Sequence, residues 1–569
     1  MLNYLRIIII LILPISLLAQ EIRKENLTKK QYFFYDNAQT TIESEGYFYK
    51  DELGETAFRH GRWRFYDREG DLAEERWYYR NDLHGPVIKF FPNNVKEQEG
   101  YFKRGIQDSI YIERYENDSV KQRGFYKKGK PDSTWEYFYR DGRLKMLEEI
   151  RNDTSFVWSF FLPDSLHTQT LIDGNGETIT YYTNGNLKAH YNYKNGLKHG
   201  AFEEASVHGY YLLRGAFKNN QPDGEWKQFY YTGHLEKISS YKEGKLNGSY
   251  EYYYDNEQIN VEGQYLNGKK DGKWTWYTKK GDIDMQGYFI NGKQHGEWIY
   301  NFPTGELSYK AHYKEDKKHG KWEYFYKNGS PFKVGNFEAD EKHGEWKTWY
   351  ESGKLLMVGD YVNGKEEGIW KNYWENGQIK NKTTFKAGAM HGEWFSYYTN
   401  GVLKTSGEFD MNLKTGEWKE YFENGSLKDI ENYKVITEKS KLDYGPTKDR
   451  ERRKSVKHGV FITYSDKDFK RTQEGKYKND KKEGEWIAFH PGGELPAVIT
   501  NYKNGKLHGP MKNFTFQGNQ LISEMNYKDG LQHGKTTLYD KRGKVAKEME
   551  FEYGIRVVEQ PQFAPGGKK

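Results

Sequence analysis

The sequence predicts an all-β chain, an elongated, solenoid-like twisted sheet of tandem antiparallel β-hairpins repeating every 24 residues. Three observations predict it: a fixed glycine step, two turn signals in every period, and tryptophans that a hairpin register sets against glycines. The glycines of HG, DG and related pairs stand at Gly200, Gly224, Gly248, Gly272, Gly296, Gly320, Gly344, Gly368, Gly392 and Gly416, every step 24 residues. Gly61 and Gly85 keep the step upstream, while Gly459, Gly484, Gly509 and Gly534 advance by 25.

Nine residues after the leading glycine stands another, as in Asn328-Gly329, Ser352-Gly353, Asn376-Gly377, Asn400-Gly401 and Asn424-Gly425. Such dipeptides favour the two-residue type I′ hairpin turn, whose central residues both take positive φ. A further pair closes the unit, as at Asn267-Gly268, Asn291-Gly292 and Asn363-Gly364. Two turns per period leave two strands of about seven to nine residues, one hairpin per repeat.

A two-residue turn at Ser352-Gly353 sets Glu351 across from Lys354, Tyr350 from Leu355 and Trp346 from Gly359. The same register sets Trp274 against Gly287, Trp322 against Gly335 and Trp394 against Gly407. A large ring across a cross-strand glycine covers bare backbone. That correlation is independent of the period.

Strand alternation sorts the side chains onto two faces. The face expected to be buried or concave carries the Trp row (Trp226, Trp274, Trp298, Trp322, Trp346, Trp370, Trp394, Trp418). It also carries an aliphatic row (Leu235, Ile259, Ile283, Leu307, Leu355, Ile379, Leu403, Leu427) and a closing row (Tyr265, Phe289, Tyr313, Phe337, Tyr361, Phe385, Phe409, Tyr433). The other face is polar except for Phe229, Tyr253, Tyr277, Phe325, Trp349, Tyr373, Tyr397 and Tyr421. That outward row is the candidate binding strip, since exposed aromatic surface marks interaction sites. The competing reading is a ladder of rings that stabilises cross-strand pairs without any ligand.

Composition agrees. Tyr at 49, Phe at 32 and Trp at 16 supply most of the apolar surface, and Gly stands at 59 against 14 Pro. Disordered chains of similar charge are poor in aromatics. Lys+Arg at 88 against Asp+Glu at 82 gives a mild +6 with no concentrated basic stripe, which excludes the nucleic-acid-binding class. With no Cys there is no disulfide, no thiolate metal site and no Cys nucleophile.

The repeat resembles the MORN-repeat variant family, specifically its bacterial antitoxin-like members. Their unit, approximately G-x-W-x-x-Y-Y-x-N-G-x-L-x-x-x-G-x-Y-x-N-G-K-x-x-G, is matched by GEWKTWYESGKLLMVGDYVNGKEEG from Gly344 to Gly368 and by its neighbours. The resemblance covers about residues 40 to 555. It implies MORN-like repeats that contact proteins or membrane lipid without catalysis. The antitoxin label sits badly with the N-terminus, where a lone Arg6 precedes an apolar run from Ile7 to Ala19. Too short to span a bilayer, that run suits a signal peptide cleaved after Ala19. A retained membrane anchor is the alternative, and a lipid anchor is excluded for want of a Cys.

The expected organisation follows. Residues 1–19 form the signal peptide, 20–60 an N-terminal cap with the first degenerate hairpin, 61–195 degenerate repeats and 196–433 regular ones. Residues 434–457 form a basic insert loop, 458–556 the C-terminal repeats and 557–569 a flexible tail. Residues 152–180 hold a poorly matching hairpin. The insert's Lys448, Arg450, Arg452, Arg453, Lys454 and Lys457 are a candidate contact for an acidic partner or headgroup; a solvated excursion is the plainer reading.

No catalytic constellation emerges. Ten of the sixteen histidines (His60, His84, His199, His295, His319, His343, His391, His458, His508, His533) precede a leading glycine, where other units place Asp223, Asn247, Asp271, Glu367, Thr415 or Glu483. A ligand or general base is not exchanged so freely, so these residues are expected to hold a turn. His391-Gly392-Glu393 has the H-x-E of zinc deaminases without the cysteines. Glu225, Glu297, Glu345, Glu393 and Glu417 read as solvated strand positions rather than a glycosidase pair. Asp173-Gly174-Asn175-Gly176-Glu177 is too short for a calcium loop. The expectation is an exported, non-enzymatic scaffold without metal or cofactor, periplasmic or outer-membrane and surface associated, that presents an extended surface to another envelope protein. A glycan or cell-wall polymer, or a phospholipid, is the alternative partner.

Overall fold

The computed structural model describes residues 24–440 and 450–558. The predicted leader, Lys448 and residues 559–569 of the predicted tail lie outside the described residues. Two compact units divide the chain, Met1–Gly272 with Lys279–Gly281 and Lys273–Thr278 with Asp282–Lys569. The described residues form 46 strands and one short 3-10 turn, Lys24–Asn26. Within each unit, every recorded pairing is antiparallel and joins strands adjacent along the chain or separated by one two-residue strand, as from Glu341–Trp349 through Leu355–Val362 to Lys365–Tyr373.

The two turns of each hairpin differ, and this corrects the expected type I′ turn at the first signal. At Tyr350–Lys354 the Gly353 N–H donates to Tyr350 O at 2.9 Å and the Tyr350 N–H to Lys354 O at 2.8 Å. Only Gly353 takes positive φ there (80°); Ser352 does not. This is a type I turn closed by a left-handed glycine, which adds one residue to the loop. Leu355 therefore pairs with Trp349, not Tyr350, and a register shift after Thr348 restores Trp346 opposite Gly359. The closing turn is type I′: Asn363 and Gly364 take φ of 48° and 74° between paired Val362 and Lys365. Gly353→Ala should cost about 1 kcal/mol in urea unfolding, because alanine is strained at that φ although nothing lies within 4 Å of its Cβ.

The shift also moves the aliphatic row. Directly paired residues share a face, and Leu355, Ile379, Leu403 and Leu427 pair with Trp349, Tyr373, Tyr397 and Tyr421. The aliphatic row therefore leaves the Trp face, where it was expected, and joins the aromatic row on the other. The buried cluster of the second unit is Trp298, Ala311, Trp322, Phe337, Trp346, Tyr361 and Trp370, edged by Trp276, Met285, Tyr300, Tyr309, Tyr324 and Met357. In the first unit a smaller core gathers Val157, Phe160 and Leu171 in the irregular stretch.

The Trp–Gly registers hold for Trp322–Gly335, Trp346–Gly359 and Trp394–Gly407. The ring that covers each glycine, however, comes from the next hairpin. A Cβ on Gly335 would lie 2.0 Å from Trp346, one on Gly359 2.1 Å from Trp370, and one on Gly407 2.3 Å from Trp418. The leading glycine makes the approach feasible. Gly344, at φ 67°, lies in a bulge where pairing jumps from Val334–Lys347 to Asn336–His343, and Trp346 folds into the gap over Gly335. Its Nε1 donates to Asn336 O at 3.1 Å, as Trp322 does to His312 O (3.2 Å) and Trp370 to Asp360 O (3.2 Å).

Residue sizes at this crossing are reciprocal. Thr383, in a glycine's place, pairs directly with Trp394, which is half-buried while Trp322, Trp346, Trp370 and Trp418 are buried. Met525 in that place meets Thr536 from the following hairpin.

The basic insert is not a loop. Strands Leu427–Ser440 and Arg450–Tyr464 continue the ladder from Tyr433–Lys457 out to Ser440–Arg450. The β-branched Val435, Ile436 and Thr437 suit a strand, and Val456 is buried to 1% exposure. The predicted tail likewise begins in a strand, since Ile555–Val557 pairs with Glu550–Glu552.

Candidate binding surface

Side chains tie each hairpin to the next in three repeating ways. In several units the residue before the leading glycine accepts a hydrogen bond from the first N–H of the type I′ turn that leads into the next unit, although His199 and His391 do not. His60 takes it from Arg80 (3.3 Å), Asn247 from Asn267 (3.1 Å), Glu367 from Ala387 (2.7 Å) and His533 from Tyr553 (3.4 Å). Histidine, amide and carboxylate interchange because all three supply an acceptor. They hold a turn, one hairpin further on than their own position suggests.

A second tie is a tyrosine hydroxyl. Tyr326, Tyr350 and Tyr398 donate to the carbonyls of Trp349, Tyr373 and Tyr421, each at 2.8 Å. The third explains the Asn of the first turn signal. Asn376 donates through Nδ2 to Thr399 O at 2.6 Å and accepts through Oδ1 from the Gln378 N–H at 3.0 Å. Its role is to bridge hairpins, and a left-handed backbone is not required of it.

His60 makes the first tie sensitive to acid, because its imidazole accepts only when neutral. Burial, helped by the nearby Arg80 charge, holds its pKa below the ordinary 6.5. A depressed folded value means the contribution is whole above pH 6.5 and is lost as pH falls below it. The melting temperature should therefore drop as pH falls below 6.5, and His60→Asn, which keeps an acceptor, should flatten part of that drop.

The predicted outward row divides between the units. Phe229 and Tyr253 lie in the first; Tyr277, Phe325, Trp349, Tyr373, Tyr397 and Tyr421 lie in the second; all eight are half-buried. Phe325, Trp349, Tyr373, Tyr397 and Tyr421 do not stack on one another among the described residues. Each pairs across the strand with an aliphatic residue or, for Phe325, with Pro331. They form aromatic–aliphatic pairs beside the first turn, not a ladder of rings.

The basic run is partly neutralised. Arg453 pairs with Asp410, Lys454 with Glu438 at 2.6 Å and Lys457 with Glu431 at 2.6 Å. Arg452 stands opposite Glu438 in the ladder, and Arg450 is described only as backbone opposite Ser440. Among the described residues no group of three His, Asp or Glu side chains is placed to hold a metal ion.

A further row was missed from the sequence. Two residues beyond each Trp, on the Trp face, directly paired side chains run from strand to strand across the second unit. It starts aromatic: Met285 pairs with Tyr300, Tyr300 with Tyr309 and Tyr309 with Tyr324, the Tyr300 and Tyr309 rings stacking at 4.1 Å. From Tyr324 it passes through Lys333 and Thr348 to Met357, and beyond Met357 it is polar throughout, through Asn372, Asn381, Ser396, Thr405, Glu420 and Asp429. All six are half-buried. Asp429 is raised to about 6 by burial and by the Glu420 and Glu431 carboxylates. A raised carboxyl is best tolerated protonated, so its burden grows as pH rises from 3.8 towards 6 and then stays. Asp429→Asn should therefore stabilise the chain by about 1–2 kcal/mol at pH 7 and by almost nothing at pH 4.

These ties define a hairpin-repeat protein in which side chains mostly hold neighbouring repeats together. It carries MORN repeats: residues 59–81, 175–195, 222–243, 294–315, 318–339, 342–363, 366–387, 390–411 and 414–434 match the family described as MORN repeat variant. No curated protein matches the chain. Among solved structures it is similar to the TcdB2-TccC3-Cdc42 complex at 10% identity, over 90% of this chain and 29% of that one, with a TM-score of 0.11. The Photorhabdus luminescens Tc holotoxin pore matches at 8% identity, over 93% and 35%, with a TM-score of 0.13. CbpJ from Streptococcus pneumoniae matches at 14% identity, over 59% and 97%, with a TM-score of 0.10. The chain thus spans only 29% and 35% of the two toxin chains, and scores this low carry no argument.

Proposed function

We propose that the protein is an exported, non-enzymatic scaffold whose repeats present a surface to another protein of the cell envelope. The observation that carries the reading is the employment of its reactive side chains. Histidines and carboxylates before leading glycines, such as His60 and Glu367, accept from turn N–H groups, and turn-side tyrosines bind the next repeat's carbonyls. Repeat arrays so built offer long rows of side chains without a closed pocket. Export rests on the apolar Ile7–Ala19 run.

The mature chain, beginning at Gln20, is the bait that tests this. A single envelope protein retained in constant ratio is expected, together with a native N-terminus at Gln20 by mass spectrometry. Retention of polysaccharide alone would overturn the protein-scaffold reading, and recovery from the cytosol with Met1 in place would overturn export. The second reading, a glycan, is favoured by the polar row on the Trp face. A phospholipid surface has less support, since Arg453, Lys454 and Lys457 already have acidic partners.

A further inference from the structure

We propose that the polar stretch of the Trp face, from Asn372 to Asp429 with Trp394 beside it, binds a neutral glycan strand. This rests on the second reading above and is independent of a protein partner.

Two local departures from the repeat coincide here. Earlier in the unit, before Lys333, Thr348 and Met357, the row holds Tyr300, Tyr309 and Tyr324, whose rings pack against the buried cluster. From Asn372 onward the side chains are short amides, hydroxyls and carboxyls, so the surface beside the tryptophans is hydrogen-bonding. In the same stretch Thr383 stands where other units have glycine. Thr383 pairs directly with Trp394, a pairing that Gly335 and Gly359 do not make with Trp346 and Trp370, and the Trp394 indole is half-buried where those two are sealed. Trp394 lies two residues before Ser396 on one strand and therefore on the same face.

The hydrogen-bonding capacity is only partly used. Asn372 Nδ2 donates to Asn381 Oδ1 at 2.5 Å, leaving the Asn381 amide N–H groups and Asn372 Oδ1 to face outward partners. Lys428 Nζ holds Glu420 Oε1 at 2.8 Å. Among the described residues the Ser396 and Thr405 hydroxyls have no partner. Lys428 balances an ionised Glu420, and the charge that Asp429 carries at neutral pH lies at one end of the row, so the Asn372–Thr405 part is neutral.

Chemistry then discriminates between occupants. Every strand of the stretch has neighbours on both sides, so its backbone is committed to the ladder and an extended peptide has no edge to join. A chain rich in hydroxyls has no such need. Its hydroxyls match paired amide, hydroxyl and carboxyl groups that both donate and accept, and its apolar ring faces lie against an indole. Successive row positions advance by about 4.8 Å per strand, a repeat that a linear polymer can follow across the sheet.

The test uses the mature full-length chain and neutral hexasaccharides of β-linked glucose, N-acetylglucosamine, xylose and mannose, read by isothermal titration. At least one should bind. Trp394→Ala and, separately, the Asn381→Ala/Ser396→Ala pair should weaken it tenfold or more, while Trp349→Ala on the opposite face leaves it unchanged. Circular dichroism and melting separate lost binding from lost fold, and Thr405→Leu, which fills the row while Trp394 is kept, should also abolish binding. The proposal is overturned if no hexasaccharide binds, if binding survives Trp394→Ala, or if Trp349→Ala is the variant that removes it. A protein captured from envelope extract by a chain that binds no hexasaccharide sinks this proposal and leaves the scaffold intact.

Discussion

Gly335→Ala is expected to lower stability by about 3 kcal/mol or more, among the largest effects of any single methyl group in this chain. The added Cβ would sit 2.0 Å from Trp346 Cδ2, well inside contact distance, so the indole must shift within a sealed site. Trp346 is 3% exposed, walled by Phe337 at 5.2 Å and Tyr361 at 6.0 Å, and tied through Nε1 to Asn336 O. The clash lies between hairpins, so it loosens one repeat from the next as well as straining each. In an array held by nearest-neighbour contacts such a break separates blocks that otherwise unfold together. Urea unfolding should therefore change from one transition to two. A single transition with an unchanged midpoint would show that the ring does not occupy the place described. Gly353→Ala, with open space around its Cβ, is the matched control.

Trp346→Ala is expected to cost about 3–5 kcal/mol, the usual range for emptying a buried aromatic site. The more telling measurement is the double variant. Once the indole is gone the methyl group added by Gly335→Ala has room, so that substitution should add little to Trp346→Ala. The coupling between the two should be of the order of 2 kcal/mol in favour of the pair. Additive costs would mean that the two residues do not meet, whatever their spacing in the sequence. Gly359 with Trp370, at 2.1 Å, repeats the experiment one hairpin on.

Much of this fold was legible in the sequence. The glycine period, the hairpin, the type I′ turn at Asn363-Gly364 and the Trp346–Gly359 register all follow from residue order. What escaped was everything set by a single extra residue. Asn-Gly serves two different turns, and the type I form with its added glycine slides one strand by one position. In a structure with a two-residue side-chain period, a slip of one exchanges the faces, which is why Leu355 and its equivalents were assigned to the wrong side. The covering ring was also misassigned, because the bulge at Gly344 sends Trp346 backwards over Gly335. The insert looked like a loop because its charges are dense, although Val435, Ile436 and Thr437 argue for a strand. For the candidate surface, the basic run and the outward aromatics were visible as composition. The Asn372–Asp429 row needed only alternation counted from each Trp, but its continuity depends on pairings that no single repeat contains.

Size matching at the crossings has a genetic corollary. Each lock is shared by two hairpins, for Gly335 and Trp346 lie on opposite sides of the turn at Ala339-Asp340. A recombination event that cuts there and joins a different neighbour would bring Met525, for example, against a tryptophan, and the product would fail to close. Whole repeats are thus not freely transposable, and the heritable module is the stretch that carries a lock intact.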